Sequence, residues 1–172
     1  TEHHFNNALA FKFIDDSYET RLVSIDWTMG RTGVLTPVAV FEPIEIEGTI
    51  VERASLHNIS IIEELRLGIG DTIRVYKANQ IIPQIRNSVE KSNNIQIPKR
   101  CPICGGNTDI LENTDANKTV KVLVCTNDNC KGKLLGKLTH FVSKSAMNID
   151  GLSEATIDKL ISLNILNKFT DI

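Results

Sequence analysis

The sequence predicts a multi-domain chain that is mainly β: an OB-type barrel, then a small four-cysteine metal module, then an α-helical segment. Three observations carry that reading. Short alternating or apolar segments separated by glycines run from about residue 21 to 90 with one helical stretch among them, all four cysteines fall between residues 101 and 130 as two close pairs, and beyond them apolar residues recur at helical spacing.

The elements follow in order. From Leu22 to Met29 residues alternate, with Val23, Ile25, Trp27 and Met29 on one face and Ser24, Asp26 and Thr28 on the other, which predicts a half-buried strand. Gly30 and Gly33 bracket a turn, and an apolar run from Val34 to Phe41 forms the next strand. Ile44 and Ile46 alternate with Glu45 and Glu47 before Gly48, so a second hairpin is expected, with Ile50 and Val51 opening its return strand. Ser60 and Glu63 have capping-box spacing, Ile61, Ile62 and Leu65 give a short helix its buried side, and Gly68 is expected to end it. Strand character returns over Thr72 to Ala78 and Gln80 to Ile85. About five strands with one helix between them fit an OB-type barrel at residues 21–97.

Residues 91 to 98, KSNNIQIP, read as a polar linker ending in Pro98. After the cysteines, Leu134, Leu135, Leu138, Phe141 and Val142 predict an amphipathic helix over about 132–146. A second helix begins near Ser153 with Ile157, Leu160 and Ile161 on one side, and NIDGL makes a tight connection between the two.

With 41% apolar and 23% charged residues the chain is expected to be globular rather than disordered. No run approaches the roughly 18 apolar residues that span a bilayer, and no basic-then-apolar leader opens the sequence, so a cytoplasmic protein without a membrane partner is expected. The net charge of −2 hides a segregation. Residues 1–65 hold four Lys or Arg against eleven Asp or Glu, residues 66–100 hold seven against two, and residues 121–144 hold five lysines against the single Asp128. Two basic stretches on an acidic chain suggest a polyanionic partner, a solvated basic face being the plain alternative.

The cysteines read Cys101-Pro-Ile-Cys104, twenty intervening residues, then Cys125-Thr-Asn-Asp-Asn-Cys130. Two close pairs across a short excursion are the layout of tetrahedral zinc, and four thiolates leave no position for water, so the expected role is structural. Thr108 to Leu111 and Thr119 to Val124 read as a small hairpin between the pairs. Two disulfides are disfavoured in a reducing compartment, and a thioredoxin-like redox pair lacks its strand-to-helix unit. His140 lies on the predicted helix and is not needed as a fifth ligand.

Specific strings then add a resemblance. ALAFKF (8–13), GRTGVLTPVAVFEP (30–43) with RASLHN (53–58), GIGDTIRVYKANQIIPQI (68–85), CPICGG with CTNDNC, and HFVSKSAMNIDGLSEATIDKL (140–160) share the order and spacing of the bacterial NAD-dependent DNA ligase family, which the chain resembles nearly end to end. The resemblance implies the end of a nucleotidyltransferase domain at 1–20, an OB domain at 21–97, a four-cysteine zinc finger at 98–131 and the start of a helix-hairpin-helix domain at 132–172. It implies an enzyme that seals nicks in duplex DNA during replication and repair, joining a 3′-hydroxyl to a 5′-phosphate with NAD and magnesium, and acting as a monomer at the bacterial nucleoid.

In that family the adenylated lysine sits in a KxDG motif, which does not occur here, so this chain alone is expected to be inactive. Lys12 matches the lysine of the last nucleotidyltransferase motif, which contacts the nucleotide phosphate. Arg31 and Thr32, at the tip of GRTG, place a guanidinium fork, a hydroxyl and backbone amides where a DNA phosphate can approach, on the surface that such ligases lay along the minor groove. The plain alternative for Arg31 is a hairpin salt bridge.

Lys77, Asn79 and Gln80 stand where the family usually has Arg, Gly and Asp, so charge is kept while bidentate geometry is lost. Asn79 is expected to hold the left-handed turn. Ile81 and Ile82 resemble wedges for the minor groove, alternation leaving only one of them exposed. Gly151, in NIDGLS, belongs to a connection whose amides can meet a phosphate, although Ser153 replaces the usual glycine. His57 with Asn58 is read as stabilising a turn, and His3 and His4 belong to no recognisable site. Two competing readings are a stand-alone nucleic-acid-binding barrel with a zinc ribbon and a purely structural zinc scaffold for protein partners.

Overall fold

The structure, a computed structural model, describes residues 16–115 and 118–172; Lys12 lies outside the described residues. The strands among the described residues are β1 (Tyr18–Met29), β2 (Val34–Ile46), β3 (Thr49–Ser55), β4 (Thr72–Ala78), β5 (Ile82–Ser88), β6 (Thr108–Asp115) and β7 (Lys118–Cys125). They form one seven-stranded sheet in the order β5-β4-β1-β2-β7-β6, with β3 paired to β2 off that path. Helix α1 (Ile59–Leu65) falls between β3 and β4, while α2 (Lys131–Val142) and α3 (Glu154–Ser162) follow the cysteines. None of these helices is long and apolar enough to cross a membrane.

Strand β1 serves two partners. Its first residues, Tyr18 to Arg21, pair with β4, and Leu22 to Met29 pair with β2. The predicted alternation fails at Val23, which is half exposed while Leu22 is fully buried. The reason is a bulge: Leu22 faces Phe41 but Ser24 faces Val40, so one extra residue on β1 resets the inward phase for Ile25, Trp27 and Met29. Along β2 the alternation holds, burying Leu35, Pro37, Ala39 and Phe41. At the β2–β3 turn Glu47 and Gly48 both have positive φ, the twist-matched form of a two-residue hairpin.

Leu22, Ala39, Phe41, Ile46, Leu56, Ile62, Leu67, Ile73 and Val75 form the main core. Helix α1 caps it, but not as expected. Asn58, not Ser60, is the N-cap, accepting from the amide of Ile61 at 3.2 Å. Ser60 instead reaches β7, where its Oγ accepts from the Lys121 amide at 2.9 Å. The helix ends at Arg66 in the left-handed region, two residues before Gly68.

The expected barrel is not closed. Residues of β3 and β5 approach each other, but no ladder joins them. An open cleft of about 490 Å³ lies along this seam, lined in part by Val51, Arg53, Lys77 and Ile81. The four-cysteine segment is also not a bead on a linker. Val34 and Leu35 of β2 pair with Val124 and Leu123 of β7, so the β6–β7 hairpin extends the same sheet.

The linker is pinned as well, with Ile95 and Ile97 packed on the main core. Asp71, only 2% exposed, accepts from Ser88 Oγ at 2.7 Å, from the Ser92 amide at 3.1 Å and from Ser92 Oγ. Burial opposes ionisation of Asp71, but the hydrogen bonds from Ser92, Ser88 and Gly68 together outweigh it and hold its carboxyl below the ordinary 3.8. A depressed folded value means that the contribution is fully present above about pH 3.8 and is lost as pH falls through the lower folded value. Urea midpoints of wild type and Asp71→Asn should therefore differ at neutral pH and converge on acidification below that point. A gap independent of pH would contradict this account.

Beyond the cysteines, α2 stops at Val142, four residues short of the expected end, because Ser143 caps back onto the His140 carbonyl. Leu138, Val142, Ile157, Ile161 and Leu166 make a second core between α2 and α3. Asn148 and Gly151 take positive φ in the connection, and Ser153 caps α3 by accepting from the Thr156 amide at 3.2 Å.

Candidate metal centre and nucleic-acid interface

The four cysteines come from three local devices. Cys101 and Cys104 sit in a turn before β6, closed by the Cys101 amide on the Gly106 carbonyl at 2.8 Å and by the Gly105 amide on the Cys101 carbonyl at 2.9 Å. Gly105 holds φ +68° there, the conformation that lets the chain double back. Cys125 ends β7, and Cys130 is the N-cap residue of α2.

Their sulfur atoms all lie within 4.8 Å of one another, with Cys104 and Cys125 at 3.6 Å. Four ligands at about 2.3 Å from one tetrahedral zinc stand about 3.8 Å apart, so the cluster fits such an ion. All four thiols are free, and 3.6 Å is far outside bonding distance for a disulfide. No other group of this kind occurs among the described residues, and His140 is not part of the cluster.

The thiols of the cluster differ in their electrostatics. Amide hydrogen bonding from Gly106, at 3.4 Å, is the main cause that pulls the Cys104 thiol down to about 6, helped by Asn127 Nδ2 at 3.5 Å. Burial pushes Cys125 up to about 12 and raises Cys130 too. Buried thiols of this kind ionise together only when a positive ion offsets the desolvation of their charge. Asn127 and Met29, whose Sδ lies 3.6 Å from Cys130 Sγ, are supporting residues that the sequence reading missed. Asn127 carried one signal, its place inside the second cysteine loop.

The second candidate surface is the β1–β2 turn. Gly30 donates to the Val34 carbonyl and Gly33 to the Gly30 carbonyl, both at 2.9 Å, and Gly33 adopts φ +88°. Arg31 and Thr32 are left exposed at the tip. Among the described residues Arg31 has no ion-pair partner, so the hairpin salt bridge considered above is absent. The turn is fastened from behind by Cys125, whose amide donates to the Gly33 carbonyl at 2.9 Å.

The other expected contacts sit elsewhere. Lys77 is 9% exposed, and its Nζ donates to the Ile46 carbonyl at 2.8 Å. Alternation along β4 puts it on the inner side with Ile73 and Val75, beside the cleft at the β3–β5 seam. Asn79 and Gln80 both hold positive φ, as the turn requires. Ile81 and Ile82 are both exposed, at 76% and 53%, contrary to the alternation argument, because Ile81 belongs to the turn and only Ile82 begins β5. Gly151 is exposed at φ +84° with open space around its Cα.

The basic stretch at 66–100 is weaker than its charge count. Arg74 pairs with Glu19 at 2.9 Å, Arg86 stacks on the Tyr76 ring at 4.7 Å, and Arg100 donates to the Gly105 carbonyl at 3.1 Å.

Comparison with known proteins adds three findings. The family model for the NAD-dependent DNA ligase OB-fold domain matches residues 19–96. The chain is 54% identical over 166 residues to a DNA ligase of Lachnoclostridium phytofermentans and 49% identical over 166 residues to one of Ruminiclostridium cellulolyticum, in each case covering 96% of this chain and 25% of the relative. A DNA ligase of Thermosipho africanus is 44% identical over 170 residues, again with 96% and 25% covered. The chain thus spans about a quarter of the length of the relatives it matches.

Proposed function

This chain belongs to the NAD-dependent DNA ligase family, and we propose that within such an enzyme it grips nicked duplex DNA without sequence preference while nick sealing is carried out with residues outside it. The observation that carries this reading is the tip of the β1–β2 turn, where an exposed guanidinium with no ion-pair partner among the described residues and a hydroxyl stand on a backbone fixed by Gly30, Gly33 and Cys125. A duplex presents closely spaced phosphates, and rigid cationic points binding them need no base contacts.

Around that point the proposal assigns supporting roles. Ile81 and Ile82 supply apolar contact with the minor groove. Gly151 and the amides of its connection approach a phosphate, while Lys77 shapes the barrel mouth instead of contacting DNA. Residues 1–20, 21–97, 98–131 and 132–172 are read as the end of the nucleotidyltransferase domain, the OB domain, the zinc finger and the start of the helix-hairpin-helix domain. Cys101, Cys104, Cys125 and Cys130 would hold zinc as four thiolates, and the bound ion would offset half of their negative charge. Lys12 is assigned to the nucleotide phosphate. The nucleophilic lysine, NAD and magnesium belong to the remainder of the enzyme, which we read as a monomer of the bacterial cytoplasm acting at the nucleoid in replication and repair.

In this reading the chain alone forms no covalent adenylate when incubated with NAD, a result that mass spectrometry checks directly. Arg31→Ala should weaken binding to a nicked duplex about tenfold and lower the salt slope of log affinity by about one. Equal slopes for wild type and variant, or a preference for single strands over duplex, would overturn the assignment.

A further inference from the structure

The contact between α2 and the β1–β2 turn is closer than side chains normally allow. A Cβ placed on Gly136 would lie 2.7 Å from Arg31 Cα and 2.9 Å from Arg31 N. Both are backbone atoms, so no rotamer change relieves the clash, and the helix or the turn would have to move. On the neighbouring helical turn the Lys133 stem crosses Gly33, its Cε occupying the space that a Cβ on Gly33 would need. The Lys133 side chain is only 12% exposed, and its Nζ makes a long 3.8 Å contact with the fully exposed Asp128. Glycine inside a helix costs about 1 kcal/mol relative to alanine, so its place at 136 calls for a reason, and the approach of the Arg31 backbone is one.

We propose that Gly136 is a positioning residue for DNA binding: it lets α2 lie directly against the Arg31–Thr32 turn, so that the helix that follows Cys130 sets the direction in which the Arg31 guanidinium points. Lys133 completes the seam by laying its methylenes over Gly33. The inference rests on the DNA-gripping role of Arg31 and extends it, because that contact becomes a property of two elements from opposite sides of the cysteine cluster.

The test is a double-mutant cycle in the zinc-loaded protein with a nicked DNA duplex. Gly136→Ala should keep one zinc per chain, weaken binding about tenfold and lower the salt slope by about one, the same signature as Arg31→Ala. In the Arg31→Ala background the same substitution should cost nothing further, since both act through one guanidinium. A merely structural role would give losses that add and slopes that do not change, and either result overturns the proposal, as does wild-type binding by Gly136→Ala.

Should Gly136→Ala lose zinc, Lys133→Met and Lys133→Ala decide the matter. Both remove the charge, but only methionine keeps a stem over Gly33, so alanine should bind more weakly than methionine, and the difference should vanish when Arg31 is alanine. Equal binding by the two, or a difference that persists without Arg31, sinks the seam. If Arg31→Ala alone binds as wild type does, the underlying reading of the turn fails and the proposal falls with it.

Discussion

Cys125→Ser, or removal of the metal by a chelator, is expected to destabilise the β6–β7 hairpin and the start of α2 by more than the 4–5 kcal/mol that bounds ordinary point substitutions. The hairpin has no large core of its own. Of its described residues only Leu123 and Cys125 are fully buried, and the small cluster around the sulfurs consists of the cysteines and Met29. In isolated zinc-finger peptides a structural ion contributes on the order of 10–16 kcal/mol at neutral pH, and a bound ion would supply part of that here as folding energy. Loss should spread past the hairpin, because the Cys125 amide holds the Gly33 carbonyl and Cys130 occupies the N-cap position of α2. Amide hydrogen exchange should quicken over residues 100–135 and at the β1–β2 turn while the far strands β4 and β5 stay protected. An unchanged melt with and without chelator, or less than one zinc per chain after purification, would remove the metal from the account.

Phe41→Ala is expected to cost about 3–5 kcal/mol, a large share of the stability of a domain of this size. Phe41 is 2% exposed and the largest of the fully buried side chains. It sits opposite Leu22 at the bulge, so the cavity would open where β1 changes partner from β4 to β2 and where little can collapse into it. The zinc content should nevertheless stay at one per chain, since the sulfur cluster and the barrel core are separate sets of buried residues. Urea melts followed by emission of Trp27, the single tryptophan, together with metal analysis check both halves of the expectation. Simultaneous loss of stability and of zinc would mean that the two cores form one cooperative unit.

Most elements are legible in the sequence while several of their details are not, and those details share a cause. Asn58 rather than Ser60 caps α1 because Ser60 is drawn to a strand about sixty residues away, a competition that no local window contains. Val23 left the predicted face because a bulge against β2 absorbs it. Lys77 was legible in principle, since the alternation of β4 already grouped it with Ile73 and Val75, but its charge argued for the surface and the Ile46 carbonyl that satisfies it was not foreseeable. Gly132 and Gly136, four apart in a helix, carried a signal that went unused. Both mark close approach, Gly132 to Met29 and Ile103, and Gly136 to the Arg31 backbone.

What the sequence determined by itself was everything set by neighbours a few residues apart: the alternating strands, the glycine-bracketed turn at Arg31, the two close pairs of cysteines, and the family to which these strings belong. What only the tertiary structure decided was which of these pieces touch. It left the seam between β3 and β5 open, ran the barrel sheet on into the β6–β7 hairpin, turned Lys77 inward and laid α2 on the turn that exposes Arg31. The division is physical: backbone propensity and turn chemistry act over short spans, whereas pairing register, burial of a charge and helix-to-turn contact depend on partners that only the folded chain brings together.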